Sequence, residues 1–295
     1  METLIVWGFR TLARALSLLS LSGQRRIGRW LGWLVWQLRA AGARHTLINL
    51  SMCFPDMPPA ARDRLARESL AHTGQLLAET GTTFYWGEEH WRQLILSVEG
   101  EGLLTGGGAV SGPLMILVPH FGNWEFLALY LGKLGVTALY DPPRVAALEP
   151  VIVAARSRSG ANLLPIGPRG MRGFVQALQH DRLVALLPDQ SPERDGGVYV
   201  PFFGTTALTM TFAHRLIRRS GARVLMGTAL RCEGGFRLRF MGLPEQIADP
   251  DPVVSATVMN QAIEALVMTD PAQYQWEYKR FKRPPPGVPY PYPRR

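Results

Sequence analysis

LMILVPHFGNWEFLALYL occupies residues 114–131 and decides how the rest of the chain is read. Five apolar residues and a proline run into His120, and a second apolar segment opens five positions later at Glu125. The first run has the length and bounds of a buried strand, and the second has the composition of a helix. Between them, FGNW forms the turn. A strand that ends in a histidine and hands over to a helix places a titratable group where α/β sheets collect their ligands, at the carboxyl end of a strand.

The same texture extends from residue 98 onward. Short apolar runs recur at VTALY (136–140), ANLLPI (161–166), LVALLP (183–188) and ARVLMGTAL (222–230). Between them lie helix-forming stretches near 123–134, 147–159, 170–180 and 208–219, with another at 252–269. Strand and helix alternating at this interval predict an α/β fold with a mainly parallel central sheet flanked by helices. FRLRFMG (236–242) alternates with period two and fits an antiparallel partner for ARVLMGTAL. Residues 1–97 read differently, as Leu-, Ala- and Trp-rich helices broken at CFPDMPP (53–59). The expected organisation is an N-terminal helical, membrane-associated region over 1–97 joined to a core over 98–295 that ends in a basic tail.

Composition narrows the partners. The 295 residues carry 32 Lys and Arg against 23 Asp and Glu, a net charge of +9. Such a chain seeks polyanions: nucleic acid, anionic lipid or a phosphorylated substrate. No nucleic-acid-binding signature occurs, and five of the eight tryptophans precede residue 90, which favours a membrane interface and excludes nucleic acid as the expected partner. METLIVWGFRTLARALSLLSLSG is interrupted by Arg10 and Arg14, and RRIGRWLGWLVWQLR (25–39) again sets arginines around Trp-Leu clusters. Neither offers the ~20 uninterrupted apolar residues of a spanning helix. They suit helices lying among lipid headgroups, although buried helices with solvated arginines would read similarly. Cys53 and Cys232 are too few for a disulfide framework or a cysteine metal site, and they suit a reduced compartment.

His120 and Glu125 are the candidate catalytic pair. Inside one helix, five positions would turn them about 140° apart, so they meet only if His120 sits on the turn and Glu125 in the first helical turn. A carboxylate on an imidazole fixes its tautomer and stabilises the imidazolium that forms when the other nitrogen takes a proton. The backbone N–H groups of Gly122 and Asn123 are candidates for holding an oxyanion. No nucleophile elbow is present, which points to a base that activates the substrate's own hydroxyl. A histidine merely satisfied at a strand end is the competing account.

PHFGNWE resembles the H-x4-[DE] signature of glycerolipid-type acyltransferases, and in particular the late acyltransferases of lipid A biosynthesis. The resemblance continues in order through RHTLINLSMCFPDM (44–57), SVEGEGLL (97–104), RSRSG (156–160), LPDQSP (187–192), VPFFGTTA (200–207) and PAQYQWEYKRFKRPPPG (271–287). It implies transfer of an acyl chain from acyl-acyl-carrier protein to a hydroxyl on a lipid A precursor, at the cytoplasmic face of the inner membrane, with His120 and Glu125 as catalytic residues and no metal or redox cofactor. A glycerophospholipid, aminolipid or glycolipid acceptor is the near alternative. A non-catalytic membrane-binding protein with the same fold is the distant one.

The remaining candidates each have an ordinary structural account beside the functional one. Arg156 and Arg158 suit phosphate by their forked geometry, or else close a helix end. Arg169 and Arg172 could bind phosphate too, or be surface charge. Asp189 and Gln190 end the strand LVALLP as His120 ends its own, and either organise the site, hold an arginine or form a turn. Phe202 and Phe203 either line an acyl pocket or pack in the core. KRFKR (279–283) is a solvated run, a lipid-facing patch or a carrier-facing patch.

Overall fold

A computed structural model describes residues 2–105, 112–180 and 182–293. Six helices come first: α1 (Glu2–Ser17), α2 (Leu21–Gln37), α3 (Ala41–Cys53), α4 (Pro59–Ala78), α5 (Thr80–Tyr85) and α6 (Glu88–Arg92). The break between α3 and α4 falls at the expected Pro-rich segment, and Pro59 opens α4, where its missing N–H costs nothing. α2 and α4 touch backbone to backbone. A Cβ on Gly74 would come within 2.0 Å of the Gly28 carbonyl oxygen, and one on Gly32 within 2.3 Å of the Leu70 carbonyl oxygen. Only glycine permits this approach.

A seven-stranded sheet follows, formed by β1 (Ile95–Glu99), β2 (Leu114–Leu117), β3 (Thr137–Tyr140), β4 (Asn162–Pro165), β5 (Leu183–Leu186), β8 (Arg223–Cys232) and β9 (Gly235–Gly242). Its order is β1-β9-β8-β2-β5-β3-β4, with β8 and β9 antiparallel and every other neighbouring pair parallel. The helices α8 (Trp124–Gly132), α9 (Glu149–Ser157), α10 (Pro168–Gln179), α11 (Phe212–Ser220) and α12 (Pro252–Val267) connect or cover it, and α7 (Gly102–Thr105) is a single turn. Side chains alternate across the strands. Ile116, Val118 and Ala185 join the cluster under α8, while Met115, Leu117, Val184 and Leu186 join the one under α10, α11 and α12. Leu50, Cys53 and Ala66 of α3 and α4 belong to that second cluster, so the helical segment packs into the core of the sheet.

Three local expectations are corrected. The stretch 208–219 is not one helix: β7 (Thr205–Met210) pairs antiparallel with β6 (Gly197–Phe202), and α11 starts at Phe212. The three β-branched threonines of TTALTM favour the strand. β1 was not foreseen, because its single ladder to β9 forms with a segment far along the chain. The basic tail is not a free charge cluster either. Arg280 is buried, donating to the Leu208 carbonyl at 2.7 Å and Thr209 Oγ1 at 2.8 Å, and Arg283 pairs with Glu193.

The N-terminal helices keep an apolar skin. Trp7, Leu12, Leu18, Trp30 and Trp33 are all more than half exposed. No helix among the described residues is long and apolar enough to cross a membrane.

Candidate active site

Strands β2 and β5 are hydrogen-bonded neighbours in parallel register, with Leu117 beside Leu186. Beyond that pair the two chains carry matching sequence, Val118-Pro119-His120 and Leu187-Pro188-Asp189. Neither proline has an N–H to continue the ladder. Equal steps past Leu117 and Leu186 therefore bring His120 alongside Asp189. The carboxylate grips the histidine twice: Oδ2 accepts the His120 backbone N–H at 2.9 Å, and Oδ1 lies 2.8 Å from Nδ1. Burial of Asp189 opposes its ionisation, but the His120 charge and hydrogen bonds outweigh that and hold its carboxyl below the usual range. An ionised carboxylate accepts only, so Nδ1 carries the proton and Nε2 is left as the basic nitrogen.

Nε2 lies 3.1 Å from the side-chain amide nitrogen of Gln190, and the Trp124 ring stands edge-on to the imidazole with centroids 4.8 Å apart. His120, Trp124 and Gln190 line a cavity of about 670 Å³. Its origin is a split in the sheet. β3 pairs with β5 only at Thr137–Val184 and Ala138–Ala185. Past that point Leu139 and Tyr140 part from Leu186 and Leu187, and all four line the opening. Val118, Leu127, Leu131, Val136 and Leu163 line it as well, so most of its lining is apolar.

Glu125 does not take the expected place on His120. It lies in the first turn of α8 and binds Arg156 of α9, Nε lying 3.1 and 2.9 Å from the two carboxylate oxygens and Nη2 also bonding Oε1. Trp124 occupies the space beside the imidazole instead. Burial disfavours the Arg156 charge, but Glu125 more than compensates and raises its pKa. Both line the cavity, as do His120 and Gln190, while Asp189 lies buried behind His120.

Five further candidates are corrected. Gly122 has φ +66°, and a Cβ there would meet the Ala229 carbonyl oxygen at 2.2 Å, so the turn requires glycine. Its N–H donates to the Gln273 carbonyl, and that of Asn123 to the Ala229 carbonyl, which leaves neither for an oxyanion. Asn123 is instead the N-cap of α8: Oδ1 accepts from Phe126 N–H at 2.9 Å and Nδ2 donates to Glu79 at 2.7 Å. Arg158 is spent on the carbonyls of Thr82, Thr83 and Trp86 at the end of α5, where helix geometry leaves acceptors unsatisfied. Phe202 is buried in the core, and Phe203, with φ +48° in the β6–β7 turn, packs on Phe54 and Trp276, so neither lines the cavity.

Two features were not foreseen. Trp124 lay in plain view within FGNWE, with nothing local to mark it as a neighbour of the imidazole. Glu79, fully buried at the end of α4, binds Arg25 and Arg231 at 2.8 Å each and Asn123, which ties α2, α4 and β8 to the start of α8. Its three partners are 54, 152 and 44 positions away in the chain, so no local pattern announces it.

Known proteins resemble this chain along most of its length. The family model described as "Bacterial lipid A biosynthesis acyltransferase" matches residues 1–283. A lipid A biosynthesis palmitoleoyltransferase of Escherichia coli (strain K12) is 32% identical over 242 residues, covering 81% of this chain and 78% of its own. A lipid A biosynthesis acyltransferase of Haemophilus influenzae is 30% identical over 277 residues, covering 88% and 85%. The lipid A biosynthesis lauroyltransferase of Escherichia coli (strain K12) is 28% identical over 274 residues, covering 90% and 87%. An imidazole–carboxylate pair at the wall of an apolar cavity, in a chain matched along nearly its whole length, makes this protein an acyltransferase of the bacterial lipid A biosynthesis family.

Proposed function

We propose that the protein transfers a fatty acyl chain from acyl-acyl-carrier protein to a hydroxyl of a hydroxyacyl chain on a lipid A precursor, at the cytoplasmic face of the inner membrane. The observation that carries this reading is the doubly held His120, with Asp189 behind it and an apolar cavity in front. Nε2 takes the proton of the acceptor hydroxyl as its oxygen attacks the thioester carbonyl. Asp189 stabilises the imidazolium that results. The C–S bond then breaks as the C–O ester bond is completed, and the imidazolium returns its proton to the departing thiolate. A thioester is activated enough that positioning, a base and charge stabilisation suffice, without a covalent acyl-enzyme.

Other residues that line the cavity or open α8 take supporting roles. Gln190, beside Nε2, orients the hydroxyl. Glu125 holds Arg156 by Nε and Nη2, leaving Nη1 to meet an anionic group of the precursor. The N–H groups of Trp124 and Glu125, which open α8 and have no acceptor within it, are suited to the carbonyl oxygen as it gains charge. The exposed tryptophans and leucines of α1 and α2 suit helices that rest among inner-membrane lipids.

His120→Ala tests the reading. Removing a general base lowers turnover by roughly 10²–10⁴. The lipid A of cells carrying only this variant should lack one acyl chain by mass spectrometry, while the purified variant keeps wild-type circular dichroism. Wild-type turnover in the variant would overturn the mechanism.

A further inference from the structure

The helices α10 and α11 present cations without anions. Arg169 and Arg172 of α10, three residues apart, share one exposed face, as do Arg215, Arg218 and Arg219 of α11 at spacings of three and four. Among the described residues none of these five forms an ion pair with a carboxylate. Arg172 and Arg218 donate only to the backbone carbonyls of Pro168 and Ala248. Asp249 and Asp251, the acids that act on neighbouring His214, each accept a backbone N–H of their own turn. The KRFKR run differs, since its Arg280 and Arg283 are committed within the fold.

This patch borders the cavity. Met171 of α10 and Phe212 and Arg215 of α11 line it, and the Phe174 and Phe212 rings, 6.2 Å apart, hold the two helices together. Neither helix exposes a large apolar side chain. The insertable skin of tryptophan and leucine lies on α1 and α2, and α1 packs against the turn at 146–148. A bilayer calls for apolar anchors as well as cations, whereas an acidic protein calls for the cations alone.

We infer that the acidic carrier protein bearing the acyl thioester docks on the exposed faces of α10 and α11, where Arg169, Arg172, Arg215, Arg218 and Arg219 meet its carboxylates and its acyl arm enters the cavity between Met171 and Phe212. The inference rests on the thioester-donor reading given above and adds the surface that receives the donor. Charge complementarity of this kind acts mainly on the rate of encounter and is weakened by salt.

The test is a charge reversal that leaves the cavity wall alone: Arg169→Glu, Arg172→Glu, Arg218→Glu and Arg219→Glu in one full-length protein. The same acyl chain is supplied on carrier protein or as a small thioester on N-acetylcysteamine, with a lipid A precursor as acceptor. Expected is a roughly 10- to 100-fold fall in kcat/KM with the carrier donor, a salt dependence flatter than wild type, and turnover of the small thioester within about twofold of wild type. An equal loss with both donors, or no loss with the carrier, overturns the docking surface. So does a variant that loses binding to anionic vesicles but regains normal carrier kinetics in detergent, since the patch would then be a lipid contact. If the wild-type protein uses neither donor, the thioester reading itself fails, and the docking surface with it.

Discussion

Replacing Asp189 with asparagine isolates the contribution of the carboxylate charge. The amide is nearly isosteric, and its oxygen can still accept the His120 backbone N–H that Oδ2 accepts at 2.9 Å. The amide nitrogen then faces Nδ1, which must become an acceptor, and the ring proton moves to Nε2, the nitrogen needed as base. Two costs follow. A charge-assisted hydrogen bond to the developing imidazolium is lost, about 1.5–3 kcal/mol, and the productive tautomer becomes the minor one, a further ~1–3 kcal/mol. Together they predict a fall in kcat of roughly 10²–10⁴ with little change in KM. The assay is steady-state acyl transfer across pH, paired with urea unfolding. Wild-type Asp189 has its carboxyl held below the usual range, so its ionised form adds stability above pH ~4 that is lost as pH falls through the depressed value. Asp189→Asn should lack that acid-side decline. A variant losing less than about fivefold in kcat, with an unchanged acid limb, would refute the argument that Asp189 sets the histidine.

Other outcomes follow from the same geometry. Glu79→Ala leaves the Arg25 and Arg231 guanidiniums buried without their carboxylate and should lower stability by about 3–5 kcal/mol in urea titration. Arg158→Ala should cost ~1–3 kcal/mol of stability through the orphaned α5 carbonyls with KM near wild type, whereas Arg156→Ala should raise KM for the lipid acceptor, as initial-rate kinetics would show. Trp30→Ala with Trp33→Ala should weaken sedimentation with anionic vesicles severalfold, the unfolding midpoint staying close to wild type because both side chains are more than half exposed. Leu131→Phe narrows the apolar interior and should shift preference toward a shorter acyl donor by about 1–3 kcal/mol per methylene excluded, read from donor-competition kinetics.

Much of this molecule is written locally. The runs LMILVP, VTALY, ANLLPI and LVALLP became strands and the segments between them helices; in β2 and β5, at the centre of the sheet, burial on both faces demands continuous apolar residues whatever the neighbours are. His120 and Asp189 were each legible as polar ends to such runs. Where local pattern misled, the causes differed: 205–210 folded straight back on β6 as a hairpin, and α5, more than seventy positions upstream, engaged Arg158 with its carbonyls.

The pairing within the site was a tertiary decision. Glu125 is five residues from His120 and Asp189 is sixty-nine, yet the sheet order seats β5 directly against β2, with β3 and β4 outside it. Equal steps along two registered strands then deliver the distant carboxylate to the imidazole, while α8 carries the near one off to Arg156. Composition and periodicity report which face of a segment wants burial. They carry no information on which strand will lie beside it, because that choice belongs to the packing of the whole sheet.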